Sequence, residues 1–268
     1  MTRKTLFLFV LLIGCFTAFA QNDSPKSNCV NIELPTGKLS LQPLNQNTVR
    51  VRFTKGQAVP KEELIYTEGY NHIIFVGDSR TNRMQRTLQN LSSGYYESNL
   101  LRDIDFVYEE GKGLEWLKSQ GMNTILSIAE ENYSVLKPTA VIFNLGVNDP
   151  GNMYDYISYY QEIAESLQKK NCKLFFMSVN PVNSKTIEYL GKNAIRKEEV
   201  IRKFNSVVGS ALGSTFEYID TYSYLMENGY GTNISGTGVD LPDDDGLHYT
   251  TKTYKRIFKY CLDYLILH

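Results

Sequence analysis

The chain has 268 residues, 42% hydrophobic and 21% charged, an ordinary globular composition that excludes disordered and fibrous classes and allows one sizeable core plus an appendage. Its formal net charge of -1 leaves no basic surplus, so neither nucleic acid nor anionic lipid is implied as a partner. Residues 1–20 read as an export signal: basic Arg3 and Lys4, an apolar run over 6–16, and the small-x-small triplet Ala18-Phe19-Ala20 before Gln21. That run is shorter than the roughly 20 apolar residues of a membrane span. No later stretch is apolar enough, so a secreted or periplasmic product without a transmembrane segment is expected.

Leu12-Ile13-Gly14-Cys15 also has the pattern of a lipobox, and a lipid anchor on Cys15 is the alternative. The apolar stretch 16–20 behind it weighs against that reading. If Cys15 leaves with the leader, Cys29, Cys172 and Cys261 remain, an odd number without close spacing. They indicate neither a disulfide framework nor a zinc site. Cys172 opens an apolar strand pattern and Cys261 lies on the apolar stripe of the last helix, so both read as buried thiols.

Residues 29–67 show short alternating runs at 30–34, 38–41 and 48–53, punctuated by Pro35, Gly37, Pro43 and Gly56, and predict a short β-rich segment. Gly37-Lys-Leu-Ser-Leu-Gln-Pro43 and Val49-Arg-Val-Arg-Phe53 resemble part of the N-terminal β-domain of α-glucosidase and α-xylosidase enzymes. The likeness contains no catalytic motif.

A separate unit is expected over 70–268. Apolar strand patterns at 73–76, 105–108, 140–144, 174–179 and 216–219 alternate with residues recurring at helical spacing. Examples are Tyr156, Tyr159, Tyr160, Ile163 and Leu167, and later Tyr254, Ile257, Phe258, Cys261, Leu262 and Leu265. Such alternation predicts a three-layer α/β/α domain with a parallel, flavodoxin-like sheet, whose ligands sit beyond the C-terminal strand ends. The tyrosines at 154–160 are at core spacing more than they are a sugar platform.

At those strand ends the chemistry collects. The first strand is followed by Gly77-Asp78-Ser79-Arg80, the second by Glu109-Glu110-Gly111-Lys112-Gly113, and the third by Leu145-Gly146-Val147-Asn148-Asp149. A hydroxyl, a glycine N–H and an asparagine amide on one rim suit acyl transfer, which needs a nucleophile and donors aimed at the developing oxyanion. The base follows by elimination among three histidines. His268 is terminal, and His72 lies at the far end of the first strand from Ser79, on the order of 20 Å away. His248 remains, in Asp245-Gly-Leu-His248, a spacing that lets a carboxylate hold the imidazole for proton transfer. Asp220, at the end of the fifth strand, and Asp244 are rivals to Asp245.

Taken alone, Gly77-Asp78-Ser79 is an ordinary strand-to-helix turn with Ser79 as N-cap. Asp243, Asp244 and Asp245 taken alone are a solvated acidic loop, and an EF-hand register fails because it puts Leu241 and Lys252 at acidic positions. Phosphate loops, dinucleotide loops and the Gly-x-Ser-x-Gly elbow are absent.

Gly77-Asp78-Ser79, the glycine at 111, Gly146-Val147-Asn148-Asp149 and Asp245-Gly-Leu-His248 together resemble, in order, the four blocks of the SGNH, or GDSL-like, hydrolases. The resemblance implies a catalytic triad of Ser79, His248 and Asp245. It implies an oxyanion hole of the Ser79 N–H, a glycine N–H and the Asn148 amide; Gly111 is preferred over Gly113 because it comes first after the strand. Arg80 replaces the usual apolar residue after the serine; Arg80 or Arg83 is read as a substrate contact for an acidic sugar, with a solvated charge at the helix start as the equal alternative for either.

The function expected is hydrolysis of short acyl esters, acetyl above all, through an acyl-serine intermediate, with no cofactor and no metal. Export and the glucosidase-like stretch point to acylated carbohydrate as substrate, with other small esters open. A lipid esterase or lysophospholipase, an O-acyltransferase on cell-wall glycan, and a non-enzymatic binding module are the alternatives.

Overall fold

The computed structural model describes residues 69–91, 103–191, 195–232 and 245–267, with the backbone of the strands between 30 and 65. The expectations for the leader at 1–20, Cys15, Cys29, Asp243, Asp244 and His268 fall outside the described residues.

Strands β1 (Val30–Leu34), β2 (Gly37–Asn45), β3 (Thr48–Thr54) and β4 (Glu63–Ile65) pair antiparallel in chain order as a four-stranded sheet. The second strand runs past Pro43, and the ladder shifts register between Pro43 and Asn45. Proline has no N–H to give a ladder, so strands carry it where pairing is irregular. The short β4 carries no alternation long enough to show in the sequence.

The second sheet is parallel and five-stranded: β5 (His72–Gly77), β6 (Ile104–Tyr108), β7 (Thr139–Asn144), β8 (Cys172–Met177) and β9 (Glu217–Ile219), in spatial order β6-β5-β7-β8-β9. That is the flavodoxin-like order expected. The strand expected over 174–179 starts earlier and stops at Met177. Val179 leaves the sheet because Asn205 takes both of its backbone groups, accepting its N–H at 2.7 Å and donating to its carbonyl at 2.8 Å.

Seven helices cover the sheet among the described residues: α1 (Ser79–Leu91), α2 (Leu114–Trp116 and Met122–Glu131, joined by a π-helical turn at Leu117–Gly121), α3 (Met153–Gln168), α4 (Ser184–Tyr189), α5 (Glu198–Leu212), α6 (Thr221–Asn228) and α7 (Thr251–Leu267). Period-two alternation along the strands splits the core in two. Ile74, Val76, Val141, Phe143, Leu174 and Phe176 pack with α2, α3 and α5 on one face. Ile73, Phe75, Ala140, Ile142, Phe175 and Met177 pack with α1 and α7 on the other, where Leu225 of α6 joins them. Both faces are covered, and this is why the strands read as nearly unbroken apolar runs. Tyr156 and Tyr160 are fully buried in the first core, as their spacing predicts, and the thiols of Cys172 and Cys261 are buried as well. Among the described residues no helix is long and apolar enough to cross a membrane.

Candidate active site

β5 ends at Gly77, and α1 begins two residues later at Ser79. Asp78 caps that helix: its Oδ1 accepts the Arg80 N–H at 2.9 Å, and its carbonyl accepts the N–H groups of Thr81 and Asn82 at 3.0 and 3.1 Å. The Ser79 N–H therefore stands at the first helical position, where unpaired amides give the helix end its positive partial charge. Burial pushes the Asp78 carboxyl above the usual range, while the nearby Arg80 guanidinium and the bond from the Arg80 N–H pull it back.

Across the strand ends, the loop before α7 brings His248 to this serine. The Ser79 hydroxyl lies 2.8 Å from His248 Nε2, and His248 Nδ1 lies 2.6 Å from Asp245 Oδ2. The other Asp245 oxygen accepts the backbone N–H groups of Leu247 and His248, each at 2.8 Å. One carboxylate thus folds the tripeptide ahead of the histidine and fixes its tautomer. Gly246 makes the fold possible: it sits at φ 72°, and a Cβ there would fall 2.7 Å from the Asn183 carbonyl. Burial would raise the Asp245 carboxyl, but the bonds from His248 and Leu247 outweigh it and hold it at about 2. Burial lowers His248 below its ordinary value despite the attraction of Asp245, so near neutral pH its imidazole is free to take a proton.

The third part of the rim comes from the loops after β6 and β7. Asn148 Nδ2 donates to the Lys112 carbonyl at 2.7 Å and faces Asp78 Oδ2 at a longer 3.4 Å. The Lys112–Gly113 peptide thus presents its carbonyl to the Asn148 amide, and its N–H points the other way across the trans peptide. Gly111 is an exposed turn residue at φ 70°, whereas Gly113 opens α2 against Asp149. A Cβ on Gly113 would lie 2.2 Å from the Asp149 carboxylate. That carboxylate accepts the Leu114 N–H at 2.9 Å and the Tyr156 hydroxyl at 2.7 Å, so Asp149 holds the loop.

The expectation for Arg80 is corrected. The residue is 3% exposed and does not reach toward a substrate. Its Nε donates to the Leu247 carbonyl at 3.1 Å, Nη1 to Asn180 at 2.9 Å and Nη2 to Pro181 at 3.3 Å, and its guanidinium lies 5.1 Å from the Tyr249 ring centre. The residue after the serine thus ties the nucleophile's helix to the histidine loop and to the loop after β8. Thr81 and Asn82 are buried as well. Of the other candidates, His72 is buried at the far end of β5 with its Nε2 2.8 Å from Asp105. Asp220 caps α6, accepting the Ser223 N–H at 3.0 Å, and takes no part in the cluster.

The sequence reading missed Arg196, whose Nη2 donates to Asn148 Oδ1 at 2.6 Å. It follows no strand and belongs to none of the four blocks, so only the fold reveals it.

A serine hydroxyl, an imidazole, a carboxylate and an asparagine amide on one rim of a parallel sheet match the constellation of a serine acyl-transfer site. No curated protein matches the chain. Solved structures to which the chain is similar include a GDSL-like lipase from Bacteroides thetaiotaomicron (16% identity, 74% of this chain and 88% of that one, TM-score 0.46), the psychrotrophic esterase EstA from Pseudoalteromonas (19%, 72% and 95%, TM-score 0.45) and the catalytic domain of peptidoglycan O-acetyltransferase A from Streptococcus pneumoniae (13%, 73% and 94%, TM-score 0.44). The family model for GDSL-like lipase/acylhydrolase matches residues 73–261, a span that holds all four blocks. The chain therefore belongs to the GDSL-like lipase/acylhydrolase family, the SGNH hydrolases, and is an ester hydrolase.

Proposed function

We propose that this hydrolase removes short acyl groups, acetyl above all, from a carbohydrate alcohol, through an acyl-serine intermediate. The observation that carries the chemistry is the unbroken chain from Ser79 Oγ to His248 Nε2 at 2.8 Å and from His248 Nδ1 to Asp245 at 2.6 Å. Ser79 Oγ attacks the ester carbonyl carbon as His248 Nε2 takes its proton, and Asp245 stabilises the imidazolium. The tetrahedral oxyanion is held by the N–H of Ser79, a glycine N–H of the loop after β6 and the amide of Asn148. Collapse expels the alcohol, which takes its proton from His248. Water then repeats the sequence on the acyl-serine and releases the acid.

The substrate half rests on the surroundings of the serine. A long acyl chain needs contiguous apolar lining, each buried methylene contributing about 0.8 kcal/mol. Leu114, Val147, Leu247 and Tyr249, apolar side chains in or beside the catalytic blocks, are at most 7% exposed and belong to the two cores. The side chains around Asn148 are polar: Asp78, Asp149 and Arg196. The exported character of the leader and the glucosidase-like stretch favour a glycan as carrier of the ester.

A nitrophenyl ester series from acetate to decanoate, followed by acetate release from acetylated glycans, tests the reading. A steep fall in kcat/KM beyond butyrate together with acetate release supports it. A steady rise with chain length overturns it in favour of a lipid substrate.

A further inference from the structure

Arg196 lies outside the four family blocks, yet it is bonded to the side chain proposed as the oxyanion donor. Its Nη2 sits 2.6 Å from Asn148 Oδ1, while the Nδ2 of the same amide is 2.7 Å from the Lys112 carbonyl. An asparagine amide turned by half a revolution looks nearly the same in shape but presents an acceptor where it had presented a donor. Here the turned form would set its oxygen against the Lys112 carbonyl and its NH2 against a guanidinium, which has donors only. Both contacts would be repulsive. One amide hydrogen is committed to Lys112, and the other, facing Asp78 Oδ2 at 3.4 Å, is held only weakly and is the one available to a substrate oxyanion.

The rest of the guanidinium has no competing task among the described residues. Nε is buried without a hydrogen-bond partner, and the carboxylates whose charges reach it are Asp78 and Asp245, both members of the site. A guanidinium on an amide oxygen also draws electron density from the nitrogen, and this strengthens the N–H as a donor, because hydrogen bonds in a chain polarise one another. We propose that Arg196 is a positioning residue of the oxyanion hole, which locks the Asn148 amide in its donating orientation and polarises it toward the transition state. The proposal rests on the reading of Asn148 as an oxyanion donor.

A double-mutant cycle on 4-nitrophenyl acetate, an uncharged substrate that offers Arg196 nothing to bind as an anion, tests it. Asn148→Ala alone is expected to lower kcat roughly 10²- to 10³-fold. Arg196→Met is expected to lower kcat about 10- to 100-fold with KM nearly unchanged, the range for a lost hydrogen bond to a charged group. Arg196→Lys should recover much of that loss. In the Asn148→Ala background Arg196→Met should cost nothing further, because the group it acts through is gone. A loss that multiplies in the double variant, a loss confined to KM, or full activity in folded Arg196→Met overturns the role of Arg196. Full activity in Asn148→Ala instead overturns the oxyanion reading, and the role of Arg196 with it. Far-ultraviolet circular dichroism and Tm on each variant establish that it is folded, and Arg196→Lys alone decides the orientation claim if the methionine variant is not.

Discussion

At the scale of single residues, the site separates carboxylates that look equivalent in sequence. Asp245 bonds to His248 Nδ1 at 2.6 Å, whereas Asp220 spends its Oδ1 on the Ser223 N–H. Asp245→Asn removes the group that orients the imidazole and stabilises its charged form, and turnover should fall by about 10⁴-fold. Asp220→Asn keeps a good N-cap and should leave turnover nearly unchanged. Steady-state kinetics on the two variants check this, and a crippled Asp220→Asn would contradict it. The protonation of His248 gives a second expectation. Only the neutral imidazole can take the serine proton, and burial holds its pKa below the ordinary 6.5. The profile of kcat/KM should therefore climb through a midpoint below pH 6.5 and be level by neutrality. A midpoint above 6.5 would mean that the Asp245 charge, not burial, dominates the imidazole.

At the scale of elements, the triad depends on how loops after different strands are tied together. Arg80 reaches from the first turn of α1 to the carbonyls of Leu247, Asn180 and Pro181. Tyr249, whose ring it stacks against, also donates its hydroxyl to Pro181 at 2.5 Å. Arg80→Met keeps the stem but takes the guanidinium donor from the buried carbonyls of Leu247 and Asn180, each loss worth roughly 1 to 3 kcal/mol, while Pro181 keeps the Tyr249 hydroxyl. Denaturant unfolding should show a loss on the order of 3 kcal/mol, with kcat falling because the histidine loop is no longer tied to the serine's helix. An Arg80→Met variant of unchanged stability, altered only in KM for acidic substrates, would return this residue to the role of substrate contact.

Arg80 also marks the limit of sequence reading. Its position after Ser79 is visible in the sequence, but its direction is not, because a residue in the first turn of a helix can face solvent or core. The glycine after β6 is ambiguous for a similar reason: Gly111 and Gly113 are two apart, and only the structure shows that the first is an exposed turn residue while the second opens α2. Ser79, His248 and Asp245 are legible because they sit in short blocks whose spacing does not depend on the loops between them.

Over the whole molecule, the parallel sheet is legible because a strand buried on both faces shows as an unbroken apolar run, and all five runs are visible. The strand end at Met177 is not, since the apolar Val179 extends the pattern past the small Ser178. In the structure the Ser178 N–H still donates to Ile219 of β9, but its carbonyl accepts the Thr221 hydroxyl and the Val179 backbone bonds to Asn205. Arg196 is invisible because its partner lies 48 residues away in the chain. The fold brings the ends of β5, β6 and β7 and the loop before α7 to one rim, and the central claim is that Ser79 is the nucleophile there. Incubation with a 4-nitrophenyl phosphonate, followed by intact-mass analysis and peptide mapping, tests this most directly. One phosphonyl group per chain on Ser79, with parallel loss of esterase activity and no labelling of Ser79→Ala, is the expected result. Labelling of another residue, or an active enzyme with Ser79 modified, would contradict it.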